Sequence, residues 1–128
     1  MVRQFTVEEA NALLPSLIPL LEELRDIAVR LTEIRDELAT VTPAGRLNGM
    51  ASRALQLEAE VTAAAPRAEA LLRRLFELGV EVKDPLTGLI DFRSLRQGQE
   101  VYLCWRLGEQ HIAWWHDLDS GVRGRRRL

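Results

Sequence analysis

The chain has 128 residues, of which 47% are hydrophobic and 28% are charged, and its formal net charge is −2. This length fits one domain, and the apolar fraction excludes an intrinsically disordered chain. The small negative charge argues against a dedicated nucleic-acid-binding protein, although four arginines lie among the last six residues.

The residues that bear on location point to the cytoplasm. Cys104 is the single cysteine, so no internal disulfide can form. Glu8 and Glu9 interrupt any apolar segment near the start, which excludes a signal peptide there. The longest apolar run, residues 13–21, is too short to span a bilayer. We therefore expect a protein of the reducing cytoplasm that does not enter a membrane.

The first helix is predicted from a capping motif followed by a long heptad. Thr6 and Glu9 are spaced as in a capping box, in which each side chain accepts a hydrogen bond from the other residue's backbone amide. Apolar residues then recur at alternating gaps of three and four, as in a coiled-coil seam, at Ala10, Leu13, Leu17, Leu20, Leu24, Ile27, Leu31, Ile34, Leu38 and Val41. We expect a helix over residues 7–40, with either a bend at Pro15 and Pro19 or a short first helix that ends at Leu14 and restarts.

A second helix of the same kind is predicted after a break. Residues 42–49 contain one proline and two glycines, and Asn48 and Ser52 are candidate caps for the second helix. The second heptad runs through Met50, Ala54, Leu57, Val61, Ala64, Ala68, Leu71, Leu75 and Leu78. Gly79 then stands where helices often end in a left-handed residue. We predict a helix over residues 49–78, antiparallel to the first because the connection is short. We expect the seam to bury Leu24, Ile27, Leu31, Leu57, Val61 and Leu71.

After Gly79 the pattern changes to short strands separated by turns. Val80–Lys83 alternates at period two, residues 84–88 have turn chemistry, and residues 89–92 form a second strand. Further strands are predicted over residues 101–107 and 111–116, joined by a two-residue turn at Gly108-Glu109. Together these segments predict a small antiparallel β-meander.

The predicted turn determines which side chains share a face of the sheet. It places Val101 opposite His116. Because successive side chains alternate between faces, Trp105 and Trp114 then share one face, and Tyr102 and Trp115 share the other with Cys104. Only one face can pack on the chain's own helices. The second face needs the tail or another subunit as its cover.

The expected architecture is an α+β fold, with a long antiparallel, coiled-coil-like helical hairpin followed by a small antiparallel β-meander. We expect residues 1–128 to form a single domain. Within it, residues 5–79 form the hairpin, residues 80–117 form the meander and residues 118–128 form an Arg-rich tail that is loop or loosely held.

Several short motifs occur in close order along the chain. They are Phe5-Thr6, Glu9-Ala10-Asn11, Leu78-Gly79, Lys83-Asp84, Thr87-Gly88-Leu89, Asp91-Phe92, Val101-Tyr102-Leu103-Cys104-Trp105, Gly108-Glu109 and Trp115-His116. With them the sequence resembles a prokaryotic family of domains of unknown function, the one numbered 2203, over essentially the whole chain. The resemblance implies no activity and carries over no catalytic residue, because that family has no assigned function.

Side chains that suit a metal ion are concentrated in residues 104–119. Thiolate, imidazole and carboxylate groups are the usual ligands of a divalent metal ion, and the candidates are His116, Asp117, Asp119, Glu109, Cys104 and His111. Their spacing matches no zinc motif. We expect any site to be built around His116, because strand ends are accessible and two aspartates come after it, whereas a mid-strand Cys104 is enclosed. Glu109 lies at the far end of that predicted strand.

Three functional hypotheses remain open from sequence. The first is a non-enzymatic interaction or scaffold protein that forms a homodimer or larger homo-oligomer through the hairpin and the aromatic meander. The second is a metal-binding protein or metal-dependent enzyme centred on His116. The third is a nucleic-acid accessory factor that uses the arginine tail, which the net charge makes the least favoured.

Overall fold

The protein has the expected α+β fold, a helical hairpin followed by a five-stranded antiparallel sheet. The computed structural model describes residues 3–128 except for the side chain of Asn48, so the expected capping role of Asn48 lies outside the described part. The helices are α1 (Val7–Leu38), α2 (Pro43–Gly45) and α3 (Ala51–Glu77), with a π-helical segment (Arg46–Met50) before α3. The strands are β1 (Val80–Asp84), β2 (Leu89–Arg96), β3 (Gln99–Arg106), β4 (Trp114–Asp117) and β5 (Arg126–Arg127).

Helix α1 begins with the predicted capping box and continues without interruption. The Thr6 hydroxyl accepts from the Glu9 backbone N–H at 3.1 Å, and the Glu9 carboxylate accepts from the Thr6 N–H at 2.8 Å. Pro15 and Pro19 lie inside the helix on its exposed side, so the alternative of a helix that ends at Leu14 is wrong. Each proline costs one backbone hydrogen bond. The buried leucines on the opposite side hold the segment helical.

Three ion pairs between the helices fix the antiparallel pairing of the hairpin. Arg30 binds Glu60 at 2.8 Å, Arg53 binds Glu37 at 2.7 Å, and Arg67 binds Glu23. Successive pairs advance by seven residues along α1 and retreat by seven along α3. The ladder therefore follows the heptad in both directions, as charges beside an apolar seam do. Single exposed pairs stabilise by about 0–1 kcal/mol, so the ladder selects the register more than it adds stability.

The connection between the helices differs from the predicted loop. Residues 43–50 are helical, and only residues 39–42 separate the two helical segments. The physical reason is a cap that the sequence interpretation missed: the Thr42 hydroxyl accepts from the Gly45 N–H at 2.9 Å, and Pro43 occupies the first helical position. A proline there is favourable because its missing N–H would have had no partner.

The connection between β3 and β4 also differs from the prediction. The predicted two-residue turn at Gly108-Glu109 is wrong, because residues 107–113 form a longer loop. As a result Tyr102, rather than Val101, lies opposite His116, and Leu103 lies opposite Trp115. A shift of one residue moves every side chain of a strand to the other face.

The corrected register exchanges two tryptophans between the faces. Trp115 shares the helix-facing side with Leu103, and Trp114 shares the outer side with Cys104. On the outer side Tyr102, Cys104 and His116 are buried, and tail residues Leu118, Asp119, Gly121 and Val122 border the cavity beside them. The end of the tail pairs with β4 as β5, although the tail was expected to be loop or loosely held. Tail arginines stack on both tryptophans: Arg125 and Arg127 lie 5.1 and 5.5 Å from the Trp114 ring centroid, and Arg126 lies 5.1 Å from that of Trp115.

The main core lies between the sheet and the nearer halves of α1 and α3. It combines helix leucines with the helix-facing strand residues: Leu14, Leu17, Leu21, Leu24, Leu71, Leu75, Ile90, Phe92, Leu103 and Trp105. Further along the hairpin, burial is sparser than the heptad suggested. Leu31, Ile27 and Val61 are only partly buried, although Leu57 and Ile34 are enclosed.

Two hydrogen bonds link the sheet region to the start of the chain, one to α1 and one to the residue before the cap of α1. The Ile112 N–H in the β3–β4 loop donates to the Asn11 side chain at 2.8 Å, and the Ser94 hydroxyl donates to the Phe5 carbonyl at 2.6 Å.

Within residues 3–128, no helix combines the length and the apolar content that a membrane-spanning segment needs.

The difference in burial along the hairpin gives a stability prediction. Leu71→Ala removes a side chain that is 1% exposed and should lower the free energy of unfolding by about 2–5 kcal/mol. Leu31→Ala, in the partly buried stretch, should cost clearly less. Urea denaturation of both variants measures the difference. Equal decreases in the free energy of unfolding would show that the part of the hairpin around Leu31 is as tightly packed as the core.

Candidate metal centre

Three buried polar side chains meet on the outer face of the sheet. Asp91, Cys104 and His116 are 2%, 0% and 2% exposed, and each places a potential ligand atom within 4.8 Å of those of the other two. Buried polar side chains of this kind are costly unless they bind one another or a ligand. Their convergence therefore identifies the candidate site of this protein.

Three neighbouring strands position the cluster. Asp91 of β2 lies directly opposite Cys104 of β3. His116 of β4 lies opposite Tyr102, one step along the same face from Cys104. Strands place side chains rigidly, because each backbone is held by its neighbours through ladder hydrogen bonds. The three groups are therefore held in place before any ligand arrives.

The His116 ring is oriented through both of its nitrogens. Its Nδ1–H donates to the Asp117 backbone carbonyl at 2.7 Å, and a carbonyl can only accept, so the hydrogen is on Nδ1. Nε2 lies 3.1 and 3.0 Å from the two Asp91 carboxyl oxygens. The Nε2–Asp91 contact is a hydrogen bond when a further hydrogen is carried by Nε2 or by the Asp91 carboxyl, and in both cases Nε2 is directed at the cluster. A backbone partner that holds the outer nitrogen is the usual arrangement of a metal-binding histidine.

Burial raises the pKa values of the other two groups. It raises the pKa of the Asp91 carboxyl above its usual value, although His116 opposes the shift. Burial, together with the neighbouring Asp91 charge, raises the pKa of the Cys104 thiol to about 12. At neutral pH and without a cation, Cys104 is therefore a thiol. A cation at the centre would favour both anionic forms.

A cavity of about 440 Å³ opens onto this cluster. Asp91 and His116 form part of its wall, and Leu118, Asp119, Gly121 and Val122 of the tail form another part. Lys83 also borders the cavity, but its ammonium is engaged by Glu81 at 3.0 Å and lies 4.7 Å from the Tyr102 ring centroid. Three carboxyl groups border the cavity, those of Asp84, Asp91 and Asp119, which favours a positively charged occupant.

The structure separates the candidates predicted from sequence. Cys104 and His116, both candidate ligands, are brought together, and Cys104 is enclosed, as was expected of a mid-strand cysteine. Asp117 contributes only its carbonyl, since its carboxylate is exposed and lies 3.6 Å from Arg126. Asp119 borders the cavity and is exposed. His111 is exposed in the β3–β4 loop and is not in the cluster.

Glu109 has a structural partner in place of a ligand role. Its carboxylate accepts from Arg125 at 2.7 and 2.9 Å and from the Arg106 backbone N–H at 2.7 Å. The same guanidinium reaches the Cys104 carbonyl at 3.4 Å. Arg125 therefore holds the tail over the strand that carries the thiol.

Asp91 is the site residue that sequence reasoning missed. The segment 89–92 was interpreted only as a strand. The available signal was one carboxylate inside an otherwise apolar run, Leu89-Ile90-Asp91-Phe92, because a charged residue at a strand centre is rarely buried without a partner. Its proximity to His116 follows only from the register between β3 and β4. That register could not be predicted because the length of the β3–β4 loop was misjudged.

A family model described as "Uncharacterized conserved protein (DUF2203)" matches residues 3–128. The chain belongs to this family. No curated protein and no solved structure matches the chain, so the family adds no assigned activity to the geometry.

The tail contact predicts how accessible the thiol is. In the folded protein Cys104 should react slowly with an aromatic disulfide reagent at neutral pH, because it is buried and protonated. Arg125→Ala removes the contacts to Glu109 and the Cys104 carbonyl and should speed the reaction. Arg123→Ala, at another arginine of the same tail, is the control. Equal rates in both variants would exclude the tail as a barrier to the thiol.

Proposed function

We propose that this protein binds one divalent transition-metal ion through Asp91, Cys104 and His116. The observation that carries the proposal is the convergence of one carboxylate, one thiol and one imidazole within 4.8 Å, all buried. Bond lengths of about 2.0–2.3 Å in a tetrahedral site put ligand atoms about 3.4–3.6 Å apart. The distances of 3.0 and 3.1 Å between His116 Nε2 and the Asp91 oxygens are near this spacing, and the ligand atoms of all three groups lie within 4.8 Å of one another.

The ligand types favour zinc among the common divalent ions. A thiolate is a soft ligand that suits zinc and is avoided by magnesium and calcium, which take oxygen ligands. Zn²⁺ also balances the two negative charges of the Asp91 carboxylate and the Cys104 thiolate. The histidine adds a neutral ligand whose outer nitrogen is already held by the Asp117 carbonyl.

Three protein ligands leave one position of a tetrahedral ion free. In structural zinc sites four protein ligands close the ion, whereas catalytic sites keep a position for water or substrate. Here Asp91 and His116 border the cavity under the tail, so the free position would face that cavity. The arrangement supports a metal-dependent enzyme more than a purely structural site.

Cobalt binding tests the proposal with a signal specific to the site. Because Cys104 is the single cysteine, a thiolate-to-cobalt absorption band can arise only from this residue. We expect wild-type protein to bind about one Co²⁺ with that band, and Zn²⁺ to displace it. Asp91→Asn and His116→Gln should weaken affinity by at least the about 10–100-fold that loss of an outer partner costs. Cys104→Ser should abolish the band.

Matched controls are available within the chain. His111→Gln and Asp36→Asn change a histidine and an aspartate that are exposed and lie outside both the cluster and its cavity. Both should keep the band and the affinity within a small factor. Absence of stoichiometric binding by folded wild-type protein would refute the proposal, and a band unchanged in His116→Gln would refute the assigned ligands.

We also propose that the protein self-associates, as the heptads suggested. The observation in favour is a pair of exposed apolar side chains near the end of α3: Leu72 is 43% exposed and Phe76 is 80%. The apolar heptads of α1 and α3 support the additional proposal that the hairpin is an antiparallel coiled coil. The tail covers the outer face of the meander, so association would use the helices.

The nucleic-acid hypothesis was based on the arginines of the tail, and three of these have partners within the chain. Arg125, Arg126 and Arg127 stack on tryptophans of β4, and Arg125 also binds Glu109. These three arginines of the tail thus have partners within the chain that account for their presence.

A further inference from the structure

The end of α3 carries an exposed surface that combines apolar and charged side chains. We define the α3 end surface as Leu72, Arg73, Phe76 and Glu77. Their spacing places them on one side of the helix. Phe76 is the most exposed aromatic side chain within the described residues, at 80%. An aromatic ring left in water at this position is typical of an interaction site.

A groove lies beside this surface. It has a volume of about 1080 Å³ and runs between α3 and β1, with Val80 and Val82 in its wall. Strand β1 is at the edge of the sheet, so an extended peptide is one conceivable occupant. However, the β1–β2 register shifts between Val82 and Asp84, which is a β-bulge at Lys83. Bulges and lysines on edge strands protect them from pairing with another strand.

The charges of the α3 end surface are complementary to themselves. Arg73 has no ion-pair partner within residues 3–128, and Glu77 has only the exposed Arg74 at 3.6 Å. If a second α3 lies antiparallel across a two-fold axis between residues 74 and 75, Arg73 of each copy lies within one residue, about 1.5 Å of helix rise, of the position opposite Glu77 of the other. The same axis brings Leu72 of each copy equally close to Phe76 of the other. Each contact then occurs twice, as in isologous dimers.

We infer that the protein forms a two-fold homodimer in which the α3 end surfaces of two copies pack antiparallel, with each Phe76 seated against the groove of the other copy. The inference rests on the proposed self-association and specifies its surface and partner. It is independent of the metal proposal, because none of the four residues borders the cavity at the cluster.

The apolar part of the contact is tested by a matched pair of variants. Phe76→Glu should weaken dimerisation by about thirtyfold or more, the loss expected for an aromatic anchor. Leu55→Glu changes another exposed apolar residue, 62% exposed, nearer the start of the same helix, and should leave the dimer intact. Sedimentation equilibrium gives the dissociation constants, and circular dichroism checks that both variants keep their helices.

The charged part is tested by mixing. Arg73→Glu should weaken the homodimer by about tenfold, because two attractive pairs become repulsive, and Glu77→Arg should do the same. Mixing these two variants restores opposite charges only between chains, so a heterodimer should form with near wild-type affinity. Native mass spectrometry distinguishes it from both homodimers by mass.

The outcomes separate this inference from the proposal on which it rests. Monomeric wild-type protein at micromolar concentration would overturn both self-association and the α3 end surface. A dimer that survives Phe76→Glu, or a mixture that forms no heterodimer, would overturn this surface while self-association stands. Loss in Phe76→Glu with retention in Leu55→Glu and recovery in the mixture would establish the contact.

Discussion

The pairing of Tyr102 with His116 is the constraint on which the outer half of this molecule depends. Side chains alternate along a strand, so this single pairing assigns every residue of β4 to a face. It puts His116 beside Cys104 and Asp91 and turns Trp114 toward the tail. One residue of slippage would send His116 toward the helices and leave the Asp91 carboxylate buried without its imidazole.

Two features outside the strands hold that register. The loop 107–113 is anchored to α1 through the Asn11 side chain, which accepts from the Ile112 backbone N–H at 2.8 Å. On the other side of β4, the Leu128 N–H donates to the Ala113 carbonyl at 2.9 Å, and β5 pairs with β4. The hairpin and the tail therefore both hold β4 in position beside β3. Neither of them contributes a residue to the Asp91–Cys104–His116 cluster.

The sequence was informative where local rules decide the structure. The capping box at Thr6, the two long helices and the turn at Gly79, where φ is +87°, depend on short-range patterns and are present as predicted. Charged residues also follow a short-range pattern. The ion pairs between the helices recur at heptad spacing, so the positions of these charges could have predicted how the two helices align. The site was less predictable because it depends on pairing between strands. A glycine-containing dipeptide at Gly108-Glu109 resembled a tight turn, but the Asn11 contact, made across 101 positions, fixes a longer loop.

The energetics of the buried cluster favour a ligand over a purely structural role. An apolar trio of similar volume would pack on the same face without the desolvation that carboxyl, imidazole and thiol groups undergo, and such replacements are often neutral or stabilising. The contact between His116 and Asp91 at 3.0 Å offsets part of this cost, but an apolar trio would have no such cost to offset. The proposed cation would offset it further, since it would coordinate all three groups at once. Its binding energy would then also stabilise the fold, by about 2.7 kcal/mol when the free ion is at about a hundred times its dissociation constant. Polar groups whose burial is costly by itself would in that case become part of what stabilises the metal-bound protein.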